Sequence, residues 1–348
     1  MFDLAVHLLR FRSEVTSPLR LPPATGAALR GALFGALRDE YCAAGGGSAC
    51  GQPPTSDRCP VCFLLAPVAA DHPRGRDVPR PYVRRVAPGA SLAYAPGQTF
   101  EFALATFGRA LGVFPYALLG VQAMGQRGLG VGRGGRFRLT EVWAENPLAG
   151  AQERVYRAAD GGVATPALPV DATQVAAAAA ALAGRFAGAA APDAGPAVPM
   201  PHAAPGAQRA SGTARPALRL TFRTPTRLVE GGRLVKPDTF ALRSLLARLL
   251  ERLDALGDRY GAGPTGVTPA VVLAQAERVH VAERRLAWRD LFRGSGRHGR
   301  QLPMGGLVGE VVLDGDVEPL LPWLLWGSLV HVGKDAAMGN GLFAVEIA

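Results

Sequence analysis

Residues 324–343 read LLWGSLVHVGKDAAMGNGLF, and residues 118–137 read LLGVQAMGQRGLGVGRGGRF. In both stretches an apolar helical segment containing a glycine, Gly120 or Gly327, leads to a glycine-rich loop and then to a phenylalanine that opens a strand. The glycine and the phenylalanine are 17 positions apart in the stretch nearer the N-terminus and 16 apart in the other. This internal repeat predicts two copies of one small fold.

The segments around these stretches predict the same order of elements in both halves of the chain. In the C-terminal half, Leu218, Leu220 and Phe222 alternate with polar residues, which indicates a half-buried strand, and a leucine-rich helix follows. In the N-terminal half an alternating strand near Leu4 is followed by a helix that begins at Thr25. Two further strands, a second helix and a last strand complete each half. The order β-α-β-β-α-β is the ferredoxin-like arrangement, so we expect an α+β protein with two such domains in tandem.

A third region, between the two halves, has the composition of a linker. Residues 146–216 are dominated by alanine, proline and glycine, with too few large apolar side chains to offset the entropy of ordering the chain. An alanine-rich helix from Val175 to Phe186 is the element we expect there. The sequence therefore predicts an N-terminal domain over 1–145, a linker over 146–216 and a C-terminal domain over 217–348.

The charge balance favours a polyanionic partner. The 348 residues include 38 lysines and arginines against 28 acidic residues, a formal charge of +10, and residues 215–300 alone carry 17 cationic and 8 acidic residues. Such an excess favours nucleic acid. No apolar run is long enough to span a bilayer, and the N-terminus lacks the apolar core of a signal peptide. We therefore expect a cytoplasmic protein with RNA as partner and no membrane partner.

The four cysteines are clustered rather than spread along the chain as in a disulfide scaffold. They run Cys42-x7-Cys50-x8-Cys59-x2-Cys62, and four thiolates are the number that a closed structural zinc site takes. Zinc would stabilise a glycine- and proline-rich insertion in the first domain that has almost no core of its own. The first pair lacks the short spacing of a zinc knuckle, so four reduced, unliganded cysteines remain the alternative.

The two glycine-rich loops, Gly125–Gly135 and Gly333–Gly341, allow the backbone to approach phosphate and sugar closely. A dinucleotide-binding GxGxxG loop opens a helix after a strand, whereas both loops here precede a strand. The basic residues Arg127, Arg133 and Lys334 within the loops favour contact with RNA. A glycine-rich turn that binds nothing is the alternative.

Three blocks of the C-terminal half, taken with the loops, resemble a known family. They are WRDLFRGSGR at 288–297, GGLVG at 305–309, and HVGK at 331–334 followed by Gly339 and Gly341. Their order is similar to that in the C-terminal domain of the endoribonucleases that process precursor CRISPR RNA, members of the RAMP superfamily of RNA-binding proteins. In the N-terminal half the architecture, the glycine loop and the cysteine cluster fit the same family.

The resemblance implies tandem RRM-like RAMP domains and cleavage of CRISPR repeat RNA without a catalytic cofactor. The substrate 2′-OH would attack the adjacent phosphate, giving a 2′,3′-cyclic phosphate and a 5′-hydroxyl. The enzyme must then supply geometry, a proton-transfer group and a cation. His331 stands three residues before Lys334, so we predict His331 as general acid/base and Lys334 as the charge-stabilising residue. A packed His331 is the alternative, and His298, His280 and His7 are further candidates.

The predicted RNA-binding residues lie on strands and loops, because the helix cations alternate with acids and form a solvated face. Arginine suits both bidentate phosphate contact and stacking on bases. The set comprises Arg219, Arg223, Arg293, Ser295, Arg297, Arg300, Gly333, Gly339, Gly341, Arg127 and Arg133.

Two other functions fit the same residues. A non-catalytic RAMP subunit that holds guide RNA, together with other subunits of a CRISPR effector complex, would use the same folds, loops and charge without an acid/base group. A zinc-stabilised nucleic-acid module unrelated to CRISPR would bind RNA without preference for a repeat, mainly through phosphate contacts. Cleavage of repeat RNA separates the enzyme from both.

Overall fold

Two antiparallel sheets organise the computed structural model, which describes residues 2–43, 45, 58–67, 78–87, 89–189, 217–294 and 300–348. The N-terminal unit contains a five-stranded sheet and the C-terminal unit a four-stranded one. The protein is therefore of the mixed α/β kind that the sequence predicted.

The N-terminal unit places its first strand at the centre of its sheet. The elements are β1 (Val6–Ser17), β2 (Leu19–Arg20), α1 (Thr25–Tyr41), α2 (Pro60–Leu65), β3 (Tyr82–Arg85), β4 (Ala93–Tyr94), β5 (Thr99–Phe107), α3 (Phe114–Arg127), β6 (Arg136–Asn146), β7 (Ala151–Arg157) and α4 (Ala172–Ala189). The strand order is β3-β5-β1-β6-β7, and β2 pairs separately with β4. Apart from β7 and the short elements, the order along the chain is β-α-β-β-α-β.

The C-terminal unit repeats this arrangement. Its elements are β8 (Leu218–Thr226), β9 (Val229–Glu230), β10 (Arg233–Leu234), α5 (Leu242–Tyr260), α6 (Pro269–Ala276), β11 (Val279–Arg289), β12 (Phe292–Gly294), β13 (Gln301–Pro303), β14 (Gly306–Gly315), α7 (Leu321–Val330) and β15 (Phe343–Ile347). The strand order β11-β14-β8-β15 corresponds to β3-β5-β1-β6 of the first sheet. Both sheets thus have the first strand flanked by the third and the fourth of their unit.

The central strand β1 contributes to two cores, one on each face of its sheet. Leu9 and Phe11 belong to the core that α1 and α3 cover, whereas Val6 and Leu8 belong to the core built around the leucines of α5 and α7. Alternate residues of a strand point to opposite faces, which allows this double use. The helices of the C-terminal unit therefore pack against the N-terminal sheet as well as against their own.

Part of the range predicted as a linker is ordered structure. β7 pairs with β6 at the edge of the first sheet, and α4 packs on α7 through buried Val175, Ala179 and Phe186. Spacings of four and seven residues put these side chains on one helical face, so a small apolar stripe suffices despite the alanine-rich composition. The remainder of the predicted linker, 190–216, lies outside the described residues. Neither α4 nor any other helix in the described ranges is long and apolar enough to cross a bilayer.

Buried arginines join the two units. Arg84 of β3 is fully buried, and its Nη1 donates to the main-chain oxygen of Ala337 at 2.7 Å. Arg85 donates to the carbonyls of Ser328 and Leu329, both at 2.8 Å, near the end of α7. The last carbonyls of a helix have no partner within the helix, so these donors satisfy groups that would otherwise be buried unpaired.

The glycine at the start of α1 is required by the contact between the units. A Cβ on Gly26 would lie 1.8 Å from the main-chain oxygen of Met338, whereas a Cβ on Gly31 in the same helix would meet nothing within 4 Å. We expect Gly26→Ala to lower the free energy of unfolding by at least ~1 kcal/mol, because Met338 must move. Gly31→Ala should raise it by roughly 0.5–1 kcal/mol through helix propensity.

Urea denaturation of both variants measures the difference. Equal changes in the midpoint for the two variants would contradict the close approach of α1 and residue 338.

Candidate functional site

A cleft of about 400 Å³ opens between the units. The start of α1 and the end of the second glycine loop both line it. Both units contribute to its walls, so it exists only when they are docked. Its lining comprises Pro23, Ala24, Thr25, Gly26, Ala27, Val86, Ala87, Gly89, Ala90, Ser91, Leu92, Arg223, Thr224, Pro225, Arg289, Asp290, Leu291, Met304, Met338, Gly339 and Asn340.

Main-chain hydrogen bonds attach the second glycine loop to the end of β8 and to the residue that follows it. The N–H of Lys334 donates to the carbonyl of Arg227 at 3.0 Å, and that of Gly341 donates to the carbonyl of Pro225 at 3.1 Å. Gly341 has φ +78°, and a Cβ there would lie 1.9 Å from the oxygen of Val332. The loop is therefore fixed in shape, and glycine is needed where it closes.

Three consecutive N–H groups of this loop are left without an acceptor among the described residues. They belong to Asp335, Ala336 and Ala337. Asp335 adopts the left-handed conformation, with φ +61°, and a short 3-10 turn follows it. Successive N–H groups in such a turn form a concavity that binds anions.

Four cations lie close enough to Asp335 to influence its carboxyl group. Burial raises the pKa of Asp335, although the charges of Arg293, Arg227, Lys334 and Arg30 all oppose that shift. These side chains come from β12, the turn after β8, the loop itself and α1, and so from both units. Within the described part of the chain, no carboxylate forms an ion pair with any of the four. Their positive charge is therefore available to an anionic ligand.

The predicted RNA-binding residues divide into those at the cleft and those elsewhere. Arg223 lines the cleft, where it also pairs with Glu346 at 3.3 Å. Gly333, Gly339 and Gly341 belong to the loop beside it. Exposed Arg300 precedes β13, in the hairpin whose other strand carries Arg293.

Two predicted RNA-binding arginines are engaged in ion pairs away from the cleft. The Nε atom of Arg219 lies 3.7 Å from a carboxylate oxygen of Glu310 on the neighbouring strand, and Arg127 pairs with Asp39 of α1. Pairing with acids on adjacent elements neutralises these cations, which argues against the predicted role of both. Arg133 is exposed in the first glycine loop. Ser295 and Arg297 lie outside the described residues.

The structure buries His331 beneath the second glycine loop. The residue is fully buried, and its Nδ1 donates to the main-chain oxygen of Asn340 at 3.0 Å. Burial lowers the pKa of His331 well below the usual value, and the charges of Arg85 and Arg252 lower it further. A neutral ring that closes the loop from inside is a structural element, so the geometry argues against the predicted acid/base role.

The other histidine candidates also differ in their surroundings. His7 is buried in β1, and burial lowers its pKa. His280 is exposed near the start of β11, whereas the cleft lies at the other end of that strand, at Arg289. His298 lies outside the described residues.

Three of the four cysteines converge where α1 ends. The sulfurs of Cys42, Cys59 and Cys62 all lie within 4.8 Å of one another, and those of Cys42 and Cys62 are 3.8 Å apart. A tetrahedral site with Zn–S bonds of ~2.3 Å places its sulfurs ~3.8 Å apart, so this donor set fits zinc. Cys50 lies outside the described residues.

Sequence analysis missed the cations that determine the shape of the site. Arg84 and Arg85 belong to the strand YVRR, in which two charged residues follow apolar ones. Charged side chains in a buried strand need hydrogen-bond acceptors, so this pattern indicates that carbonyls or carboxylates lie beside them. Arg252 of α5 donates to the carbonyl of Val330 at 2.9 Å, next to His331. Arg30 carries no distinguishing pattern, because it is one cation on the polar side of a helix.

Comparisons with known proteins agree with this architecture. The model of the family CRISPR-associated endoribonuclease Cas6 matches residues 220–343, and a family model described as an N-terminal domain matches residues 4–168. The C-terminal unit is therefore a Cas6-like domain, which confirms the resemblance seen in its sequence blocks. No curated protein sequence matches the chain.

Solved structures with similar folds include Cas6 proteins. A partial Cas6-RT-Cas1–Cas2 complex matches 99% of this chain and 46% of its own chain at 13% identity and a TM-score of 0.55. The Cas6-RT-Cas1–Cas2 complex gives the same identity and TM-score over 99% of this chain and 29% of its own. A Thermus thermophilus Cas6 matches over 99% of both chains at 15% identity, with a TM-score of 0.49. The chain spans less than half of the first two proteins, and their likeness shows a shared fold.

Burial of His331 predicts a particular dependence of stability on pH. The unfolded chain takes up a proton below a pKa of ~6.5, whereas the buried ring takes it up only at lower pH, so the free energy of unfolding should fall as the pH decreases from ~6.5. We expect His331→Gln to show a shallower fall than the wild type in urea titrations between about pH 8 and pH 5.

His280→Gln is the matched control, because His280 is exposed and should leave the slope unchanged. A wild-type slope in the His331 variant would contradict this assignment.

Proposed function

We propose that this protein is an endoribonuclease that cuts the repeat RNA of CRISPR precursor transcripts. The observation that carries the proposal is the second glycine loop, which both units hold beside a cleft. Among the described residues, three of its N–H groups have no acceptor, and the four cations near Asp335 form no ion pair. The match of residues 220–343 to the Cas6 family supports the choice of substrate. Arg289 adds a cation to the wall of the cleft, whereas Arg223 on the same wall is paired with Glu346.

The proposed reaction needs no metal ion to generate its nucleophile. The 2′-OH of the substrate attacks the adjacent phosphorus, and the bond to the 5′ oxygen of the next nucleotide breaks, leaving a 2′,3′-cyclic phosphate and a 5′-hydroxyl. Charge accumulates on the phosphoryl oxygens during this step. The N–H groups of residues 335–337 and the side chain of Lys334, with Arg227 and Arg293, would stabilise it.

Proton transfer requires a further side chain, for which His298 is now the first candidate. In the chain it stands between Arg293 and Arg300, outside the described residues. The described histidines are less suitable, because His331 and His7 are buried and His280 lies far along β11. An imidazole of ordinary pKa transfers protons efficiently near neutral pH.

A repeat-cleavage assay tests this function. We expect wild-type protein in EDTA to make one cut in repeat RNA from its own genome, and a 2′-deoxy residue at the cut to abolish it. Lys334→Ala should slow cleavage at saturating RNA by about 10²-fold, because one stabilising group of the transition state is lost. Lys334→Arg, which keeps the charge, should retain most of the rate. Single-turnover rates measured on labelled RNA give these ratios.

Two histidine variants separate the candidates within the same assay. We expect His298→Ala to lose at least ~10²-fold in rate, whereas His331→Gln should cut at a near wild-type rate once folded.

Tight, repeat-specific binding without any cut would instead identify a guide-RNA-holding subunit. Binding with no preference for the repeat would identify a general nucleic-acid module.

We further propose that Cys42, Cys59 and Cys62 bind a structural zinc ion, with Cys50 as the fourth ligand that the sequence supplies. Thiolate ligation would join the end of α1 to α2, which packs in the same core as α1. A site filled by four thiolates leaves no position for a reactive water, so its role would be in stability rather than in cleavage.

Metal analysis of the purified protein tests the zinc proposal. We expect one zinc per chain, and its loss in Cys59→Ser together with a lower melting temperature. Cys50→Ser should have the same effect if Cys50 is the fourth ligand, and Ser91→Ala is a control outside the cluster. Zinc content must be measured again after the EDTA treatment of the cleavage assay, so that loss of stability is not mistaken for metal-dependent catalysis. A folded, metal-free protein that carries all four cysteines would contradict the proposal.

A further inference from the structure

The first glycine loop presents a charged surface that the cleft does not use. Arg133 lies in this loop, Arg136 directly follows it, and Arg20 belongs to β2, which runs beside it. All three side chains are exposed, and Val131 among them is 66% exposed. We call Arg20, Arg133 and Arg136 the first-loop patch.

The loop that carries the patch is rigid. Leu129 and Gly135 form two main-chain hydrogen bonds, of 2.8 and 3.1 Å, that close it. The hydroxyl of Ser17 donates to the carbonyl of Gly134 at 3.0 Å and accepts from the N–H of Arg136 at 2.8 Å. The arginines are therefore displayed on a fixed support, which lowers the entropic cost of binding a ligand.

The backbone of Arg133 is strained. It has φ +56°, a conformation that side chains other than glycine rarely adopt. Glycine would relieve the strain in a loop already rich in glycine, so the arginine side chain serves some purpose there.

The charge of the patch is not neutralised. Within the ranges that the structure describes, none of its three arginines forms an ion pair, whereas Arg138, two residues further along β6, pairs with Glu14 at 2.8 Å. Three unpaired cations on one rigid surface suit a polyanion whose charges repeat at short intervals, as the phosphates of RNA do.

The patch lies beside the cleft. Pro23, three residues after Arg20, lines the cleft, so the Cα atoms of the two residues are at most ~11 Å apart. The N–H of Leu21 also donates to the carbonyl of Leu92, another cleft residue, at 2.7 Å. A single strand leaving the cleft on this side would reach the patch within a few nucleotides.

We propose that the first-loop patch is a second RNA-binding site, which holds the backbone of the strand that extends beyond the cleft. The inference rests on the proposed RNA substrate and adds to it a contact outside the cut. Its contribution is to affinity and not to the chemical step, because the reacting phosphate lies at the second loop. RNA that ends at the cleft would gain nothing from it.

Salt titrations of RNA binding test the proposal. The probes are a single-stranded uridine oligomer of about 30 nucleotides, one of about 6, and the repeat RNA with its flanks. The variant carries Arg20→Gln, Arg133→Gln and Arg136→Gln together. A control carries Arg185→Gln and Arg278→Gln, which remove exposed arginines that are also unpaired among the described residues, on α4 and before β11.

We expect the triple variant to bind the longer RNAs at least ~10-fold more weakly, with a salt slope smaller by ~2, since each phosphate contact to a single strand contributes ~0.7. The short oligomer and the control should behave as wild type, and cleavage at saturating repeat RNA should keep its rate.

An unchanged slope on the long RNAs would overturn the proposal. Equal weakening of short and long RNA would overturn it too, because the arginines would then act through the overall electrostatic attraction between protein and RNA and not by direct contact. If no variant cleaves any RNA but the slope still falls, the patch is supported and the cleavage function alone fails.

Discussion

Two adjacent arginines on the edge strand β3 determine how the two units meet. Arg84 donates to a main-chain carbonyl of the second glycine loop, and Arg85 donates to carbonyls near the end of α7. Arg252 of α5 donates to the carbonyl of Val330, the last residue of α7. Burial lowers the pKa of Arg85 and of Arg252 to about 10, so both remain charged at neutral pH. Removing one donor would leave carbonyls buried and unsatisfied, at a cost of roughly 1–3 kcal/mol each. The shape of the cleft follows from these contacts.

Net charge alone misrepresents where this protein can bind an anion. Many of its cations are paired on the sheets, as Arg10 is with Glu145 and Arg285 with Glu310. Such exposed pairs contribute little to stability, but they do neutralise charge. The cations left unpaired in the described structure include Arg133 and Arg136 at the first glycine loop and Arg227, Arg293 and Lys334 at the second, whereas Arg127 of the first loop is paired with Asp39. Loop geometry and unpaired charge therefore coincide, and this coincidence supports the RNA-binding proposal better than the formal charge does.

The sequence was sufficient for the order of the elements and for the equivalence of the two loops, because both follow from local patterns of apolar residues and glycine. It was insufficient for His331, whose position near Lys334 suggested chemistry although the fold buries it. It also did not indicate that Arg127 pairs with Asp39, which lies on a helix distant in the chain. Within 146–189 the alanine-rich helix was predicted, whereas the edge strand β7 was not, because its sequence AQERVYR lacks a regular alternation of apolar and polar residues. The contacts of His331 and Arg127 are created by the fold, and composition and periodicity do not encode them.

The double use of β1 has a consequence for how this fold can change. RNA-binding domains of the RRM kind expose one face of their sheet as a platform for bases. Here the helices of the other unit pack on that face, against Val6 and Leu8. Neither unit is therefore a transferable module: separating them would expose apolar surface on both, and exchanging one for a homologue would require matching side chains across the shared core. Diversity of RNA recognition in such an architecture is confined to loops and hairpins, which can vary in length and charge while the paired scaffold stays the same.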